Sequence, residues 1–191
     1  MADYSRCTDA ELVGVCMQGE HRAWEELVHR YSNLVYSIPL KKCNLLPEDA
    51  EDIYQCVFET IFEKLHTLED PSKLRAWMVS IAWGKSISLA RKHQKQPMSA
   101  EDVESLSVDE DDSPVNVLQA DERRRLVAEA VSELSDLRSR AIIECRYYEG
   151  MSYEEISNGL GIPMGSIGPM LGRSFAELRR ILRRKGLYDL L

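Results

Sequence analysis

Three groups of side chains in this 191-residue sequence have types and spacings that could do chemistry. The first is a pair of E-x-x-H motifs, Glu26 with His29 and Glu63 with His66, each within an expected helix. Two such motifs, with a Glu from each of two further helices, would hold a di-iron carboxylate site in a helical bundle. The helices here look short for that. The second group is a basic run from Arg173 to Lys185, six bases against Glu177, whose natural chemistry is contact with phosphate. It follows GIPMGSIGPML (161–171), which packs three glycines and two prolines into the mouth of an amphipathic helix. The third is an acidic block, seven acids and no base between Glu101 and Asp112. Together they separate acidic from basic work along a chain whose net charge is −8.

The elements that must position these groups read as helices throughout. Thr8 and Glu11 form a capping box ahead of Leu12, Val13 and Val15, and Gly19 ends that helix. A second helix carries Ala23, Trp24, Leu27, Val28, Tyr31, Leu34 and Val35 at spacings of three and four and is bounded by Pro39. Pro47 opens a third, with Ile53, Val57, Phe58, Ile61, Phe62 and Leu65 as one apolar stripe. Asp70 and Pro71 start a fourth, in which Leu74, Trp77, Met78 and Ile81 share a face. From Gln96 the periodicity stops. It returns with Leu126, Val127, Ala130, Val131 and Leu134, then in a helix closed by Gly150. A second capping box, Ser152 with Glu155, precedes a short helix, a GIP turn and the basic helix. Two short helices, a tight turn and a basic second helix make a helix-turn-helix, a unit that places its second helix in the major groove.

The expected fold is therefore all-α, with two small helical domains joined by an acidic flexible linker. The limits are 1–95, 96–119 and 120–191. No run approaches 18 apolar residues, the N-terminus lacks a charged start before an apolar stretch, and the five cysteines include no C-x-x-C pair. These features predict a cytoplasmic protein with no membrane span, no disulfide framework, no metal and no cofactor.

The order of motifs carries a resemblance. DAEDIYQCVFETIF (49–62) followed by LRAWMVSIAWGKSISLARK (74–92) resembles region 2 of bacterial sigma factors, and residues 134–180 resemble their region 4. With only these two domains, the chain is similar to the extracytoplasmic-function (ECF) sigma factors. The resemblance implies a non-enzymatic factor that binds core RNA polymerase through its β and β′ subunits, recognises −10 and −35 promoter elements and directs initiation. An anti-sigma factor is a further candidate partner.

It also implies site residues. Asp49, Asp52, Gln55 and Phe58 match the family's docking surface for the polymerase clamp helices, where acids and an amide meet basic groups over an apolar underside. The same acids also suit a helix first turn. His66, Lys73, Arg75, Trp83, Lys85, Arg91 and Lys92 fall in the family's −10 reader, which needs cations and aromatic faces for a melted strand. Trp77 reads rather as core, on the stripe with Leu74, Met78 and Ile81. Trp83, Gly84 and Ser88 depart from the Arg, Asn and Asp common at those places. Ser166, Gly168, Met170, Arg173 and Ser174 fall in the −35 reader. With Ser166 as N-cap, Pro169 is the third helical residue, where its missing N–H breaks no bond. The usual Lys and Arg at Gly168 and Met170 are absent, which shifts recognition toward phosphate and DNA shape. The acidic segment reads equally as an imitation of RNA in the polymerase channel and as a solvated spacer. A stand-alone helix-turn-helix regulator is the main alternative, and the di-iron bundle a remote one.

Overall fold

A computed structural model describes residues 3–95 and 118–187. The segment read as a linker lies, for residues 96–117, outside the described residues. Among those described there are only helices and turns.

Helix α1 (Asp9–Met17) carries the expected capping box: Glu11 N–H donates to Thr8 Oγ1 at 3.3 Å, and Thr8 N–H donates to Glu11 Oε2 at 2.8 Å. Gly19 then turns the chain at φ +84°, a backbone conformation open to glycine. Helix α2 (His21–Ser37) is pinned to this start by Arg30, whose Nη1 donates to Cys7 O and Asp9 Oδ1, both at 2.9 Å. Pro39 does not stop the helix. Instead the chain widens into a π-helical turn, Ile38–Lys42, with the proline in its first turn, and ends at Cys43.

Helix α3 (Pro47–Lys64) buries Ala50, Ile53, Val57 and Ile61, at steps of three and four continued by Leu65. Phe62, expected on this stripe, is 67% exposed and packs its ring against Trp24 at 5.0 Å instead. It follows buried Ile61 by one residue, about 100° of rotation off the buried line. A 3₁₀ turn (Pro71–Lys73), capped by Asp70 accepting from Ser72 N–H at 3.0 Å, leads into α4 (Leu74–Lys95). That helix is buried on more than one side: Leu74, Met78, Val79, Ala82, Trp83 and Ile87 all lie in the core, with Ser80 and Ser86.

Four more helices follow: α5 (Leu118–Ser132), α6 (Leu137–Ile143), α7 (Tyr153–Leu160) and α8 (Met164–Arg184). α5 is already helical at Leu118, inside the stretch read as linker. α6 widens into a second π-helical turn, Glu144–Tyr148, before Gly150 reverses the chain at φ +68°. The Ser152–Glu155 capping box is present, and Gly161 closes α7 in the left-handed conformation. α8 packs Ile167, Met170, Leu171, Ser174, Leu178, Ile181 and Leu182 inward. Its far end is clasped by α5, where Glu133 meets Arg184 at 2.7 Å and Lys185 at 2.5 Å.

The two groups of four helices touch. α4 packs against α7 and α6, so its burial on several sides has a structural cause. Of the cysteines, Cys16, Cys43 and Cys145 are buried and Cys56 is exposed. Burial pushes the Cys16 thiol up to about 11 and those of Cys43 and Cys145 up to about 12.

Candidate functional site

The outer side of α3 brings Asp52, Gln55, Glu59 and Phe62 into one exposed line, at steps of three and four residues. Phe62, which the apolar spacing assigns to the buried stripe, is the largest apolar group on this exposed line. Two residues expected on this surface turn elsewhere. Asp49 is half-buried, with Oδ1 3.6 Å from His93 Nε2 on α4 and Oδ2 buried without a hydrogen-bond partner among the described residues. Phe58 is half-buried with its ring 4.8 Å from Tyr54. Phe58, Phe62, Trp24, Met17 and Val28 line an apolar groove of about 720 Å³ beside the α3 face.

The second group of candidate residues surrounds α4. Lys73, Arg75, Lys85, Arg91 and Lys92 are all exposed. Trp83 is not: it is 1% exposed and belongs to the core, so it is withdrawn as a base-stacking group in this conformation. The half-buried Trp77 takes the opposite position, lining an 830 Å³ groove between α4 and α7 with Lys73, Ile81, Lys85 and Ser88. Trp77 also packs against the core from its edge, as its apolar stripe predicts. His66 is exposed too, but it opens on the apolar groove with Met17 and Trp24 rather than on this one.

Two of these cations are held by acids from the other group of helices. Lys73 Nζ donates to Glu155 at 2.7 Å, and Arg75 lies 3.2 Å from Glu149. Lys73 and the Ser152 backbone N–H hold the Glu155 carboxyl down at about 2.

On α8 the structure corrects the expected start. The helix begins at Met164, behind Pro163 as N-cap, and Pro169 is inside it as the sixth residue. Ser166 N–H already donates to Pro163 O at 2.8 Å. Met170 and Ser174, expected to face DNA, are buried, and Ser174 Oγ donates back to Met170 O at 2.9 Å. Their spacing places them with Ile167 and Leu171 on the core side. Ser166 and Gly168 are half-buried, and a Cβ at Gly168 would meet only the Tyr153 ring, at 3.9 Å. Arg173 is exposed, as is Met164 at the helix entrance.

Residues 27–96 match the Sigma-70 region 2 family, and residues 130–180 match Sigma-70, region 4. The chain is 27% identical over 176 residues to the ECF RNA polymerase sigma-E factor of Haemophilus influenzae, covering 87% of this chain and 91% of that protein. It is 24% identical over 184 residues to the RNA polymerase sigma-H factor of Pseudomonas aeruginosa, with 92% and 94% covered. The structure of CnrH in complex with the cytosolic domain of CnrY shares the fold, with a TM-score of 0.53 at 23% identity over 92% of this chain and 97% of that one.

The chain belongs to the ECF sigma factors. Such factors bind core RNA polymerase and promoter DNA and direct transcription initiation. In this sigma factor, region 2 contains α3 and α4, and region 4 contains α6, α7 and α8. The E-x-x-H motifs lie in region 2 or at its edge, where Glu26 is engaged by Arg30 at 3.2 Å. Among the described residues, no three or more His, Cys, Asp or Glu come together as a metal site. No described helix is long and apolar enough to cross a membrane.

Proposed function

We propose that this sigma factor docks on core polymerase through the outer line of α3 and reads promoter DNA through the exposed cations of α4 and the outer side of α8. The domains concerned are residues 1–95 and 120–191. The observation that carries this reading is the α3 line itself: Asp52, Gln55, Glu59 and a 67% exposed Phe62 stand on a helix whose opposite face is fully packed. A large exposed aromatic ringed by acids and an amide is suited to a basic partner that covers apolar surface. Asp49 supports the surface from beneath, through His93.

Replacing Asp52 and Gln55 together by Ala lowers core-polymerase affinity at least about tenfold, a loss of about 1.4 kcal/mol. Both side chains are exposed, so the unfolding free energy stays within about 1 kcal/mol of the parent's. Competition binding against a labelled sigma factor measures the first and thermal unfolding the second. Unchanged core affinity refutes the docking surface.

For DNA, α8 offers Arg173 as its exposed cation nearest the helix entrance. Arg173→Ala costs about 1–3 kcal/mol of promoter binding in holoenzyme and relaxes preference at one −35 position if the guanidinium reads a base. Equal losses on every −35 sequence assign it to phosphate. Unchanged promoter binding removes it from the interface. The stand-alone regulator differs in needing no polymerase, so a gel shift with and without core enzyme separates the two. An anti-sigma factor is a further proposed partner, since CnrH, whose fold this chain shares, was solved bound to another protein's cytosolic domain.

A further inference from the structure

Helix α3, whose outer line is assigned above to polymerase, starts without a side-chain cap. Its N-cap residue is Leu46, which has no side-chain oxygen to offer, and Pro47 at the head of the helix has no N–H to donate. The first bond of the helix runs from Ala50 N–H to Leu46 O at 2.9 Å. Asp49 stands third in the helix, where an acid can fold back on the helix's own first N–H groups. Here it does not. Its Oδ2 is buried without a hydrogen-bond partner among the described residues, and its Oδ1 faces His93 Nε2 on α4 at 3.6 Å.

That separation is longer than a hydrogen bond, so what joins the two side chains is charge, imidazolium against carboxylate. Asp49 is 17% exposed and His93 33%, and a carboxylate shielded to that extent is costly unless a cation answers it. His93 is that cation, while Arg91 and Lys92 beside it on α4 are exposed. Further along, α3 and α4 are held by apolar packing through Ile53, Val57 and Ile61. At the uncapped end the tie is electrostatic. Asp52 lies about one turn beyond Asp49 and Gln55 about two, so the setting of the first turn decides where both side chains are presented.

We infer that His93 is a positioning residue for polymerase docking: from the last turns of α4 it fastens the uncapped start of α3 through Asp49, and so fixes the direction of Asp52 and Gln55. Asp49 acts inward in this scheme and is not itself a contact with the partner. The positioning role rests on the assignment of the α3 line to polymerase made above. The tie between the two helices does not.

The test compares full-length His93→Ala, His93→Arg, Asp49→Ala and the double variant Asp49→Ala/His93→Ala in binding to core polymerase, at about pH 6, on the acid side of the ordinary imidazole range. His93→Ala should lower core affinity about fivefold, the upper end for a partly exposed pair. His93→Arg keeps a cation in place and should restore the affinity to within about twofold of the parent's. The double variant should bind no more weakly than Asp49→Ala alone, because one substitution already breaks the pair. If His93→Ala fails to fold, His93→Gln replaces it. A loss that arginine does not restore, or losses that add in the double variant, overturns the inference. So does an Asp49→Ala loss with none on His93→Ala, which would make Asp49 a direct contact. Amide hydrogen exchange in the free chain reads the tie without polymerase: His93→Ala should speed exchange at Ala50 about fivefold and leave Val57, in the middle of α3, unchanged. Unchanged exchange at Ala50 overturns the tie. Faster exchange there with unaltered core affinity leaves a tie that positions nothing and overturns the inference, whereas unaltered affinity on replacing Asp52 and Gln55 overturns the docking line itself.

Discussion

Trp83→Ala should destabilise region 2 by about 3–5 kcal/mol, the range seen when a buried aromatic is truncated to a methyl group. Trp83 is 1% exposed and among the largest fully buried side chains, so the change leaves a cavity in the packing of α4. Urea unfolding measures the loss directly. The companion change Trp83→Phe should cost far less. The indole Nε1 is buried without a hydrogen-bond partner among the described residues, and removing an orphaned donor returns part of what the smaller ring gives up. Holoenzyme carrying Trp83→Phe should also melt promoters as the parent does. A Trp83→Ala chain with unaltered stability but defective promoter melting would return this residue to the DNA surface.

The second large effect has the opposite sign. Pro169 sits sixth in α8, beyond the first turn, where an N–H should donate to the carbonyl four residues back. Proline cannot donate there, and its ring crowds that carbonyl. Pro169→Ala should therefore stabilise region 4 by about 3 kcal/mol. For a domain of this size, that would raise the melting temperature by well over about 10 °C. A change below about 1 kcal/mol would mean that the helix starts at Ser166 in solution and that the proline is in its first turn. An interior proline costs a helix one backbone bond and ordinarily kinks it, and α8 is the helix proposed above to meet DNA, so Pro169→Ala should alter −35 binding as well as stability.

Where local chemistry decides structure, the sequence was readable. Both capping boxes, the glycine reversals at Gly19 and Gly150 and the proline start of α3 depend on contacts within a few residues, and all are present. The errors arise where a second partner decides. Helix α4 is packed by region 2 on one side and by α7 on another, so its apolar residues form no single stripe and the buried Trp83 could pass for a surface group. Met170 and Ser174 fall on the core side because they share the helical spacing of Ile167, Leu171 and Leu178, a pattern the surrounding glycines and prolines obscure. A cluster of glycine and proline reads as the end of a loop, and nothing local says that Pro169 is tolerated inside a helix. The π-helical turns at 38–42 and 144–148 escaped for a related reason. One extra residue per turn leaves no mark in an apolar pattern, and Pro39 reads as a stop. On α3, the acids were found and Phe62 was missed, since an aromatic at helical spacing is ordinarily assigned to the core.

The clasp between α5 and the end of α8 bears on how this protein would respond to ionic strength. The basic run from Arg173 to Lys185 suggests six phosphate contacts, but Arg184 and Lys185 are already neutralised by Glu129 and Glu133. The remaining four, Arg173, Arg179, Arg180 and Arg183, are exposed. Each cation that meets a phosphate releases condensed counterions, so four contacts limit the logarithmic salt slope of region 4 on duplex DNA to about −3.6, against about −5.4 for six. Promoter capture by this sigma factor should be correspondingly less sensitive to salt than its basic tail implies.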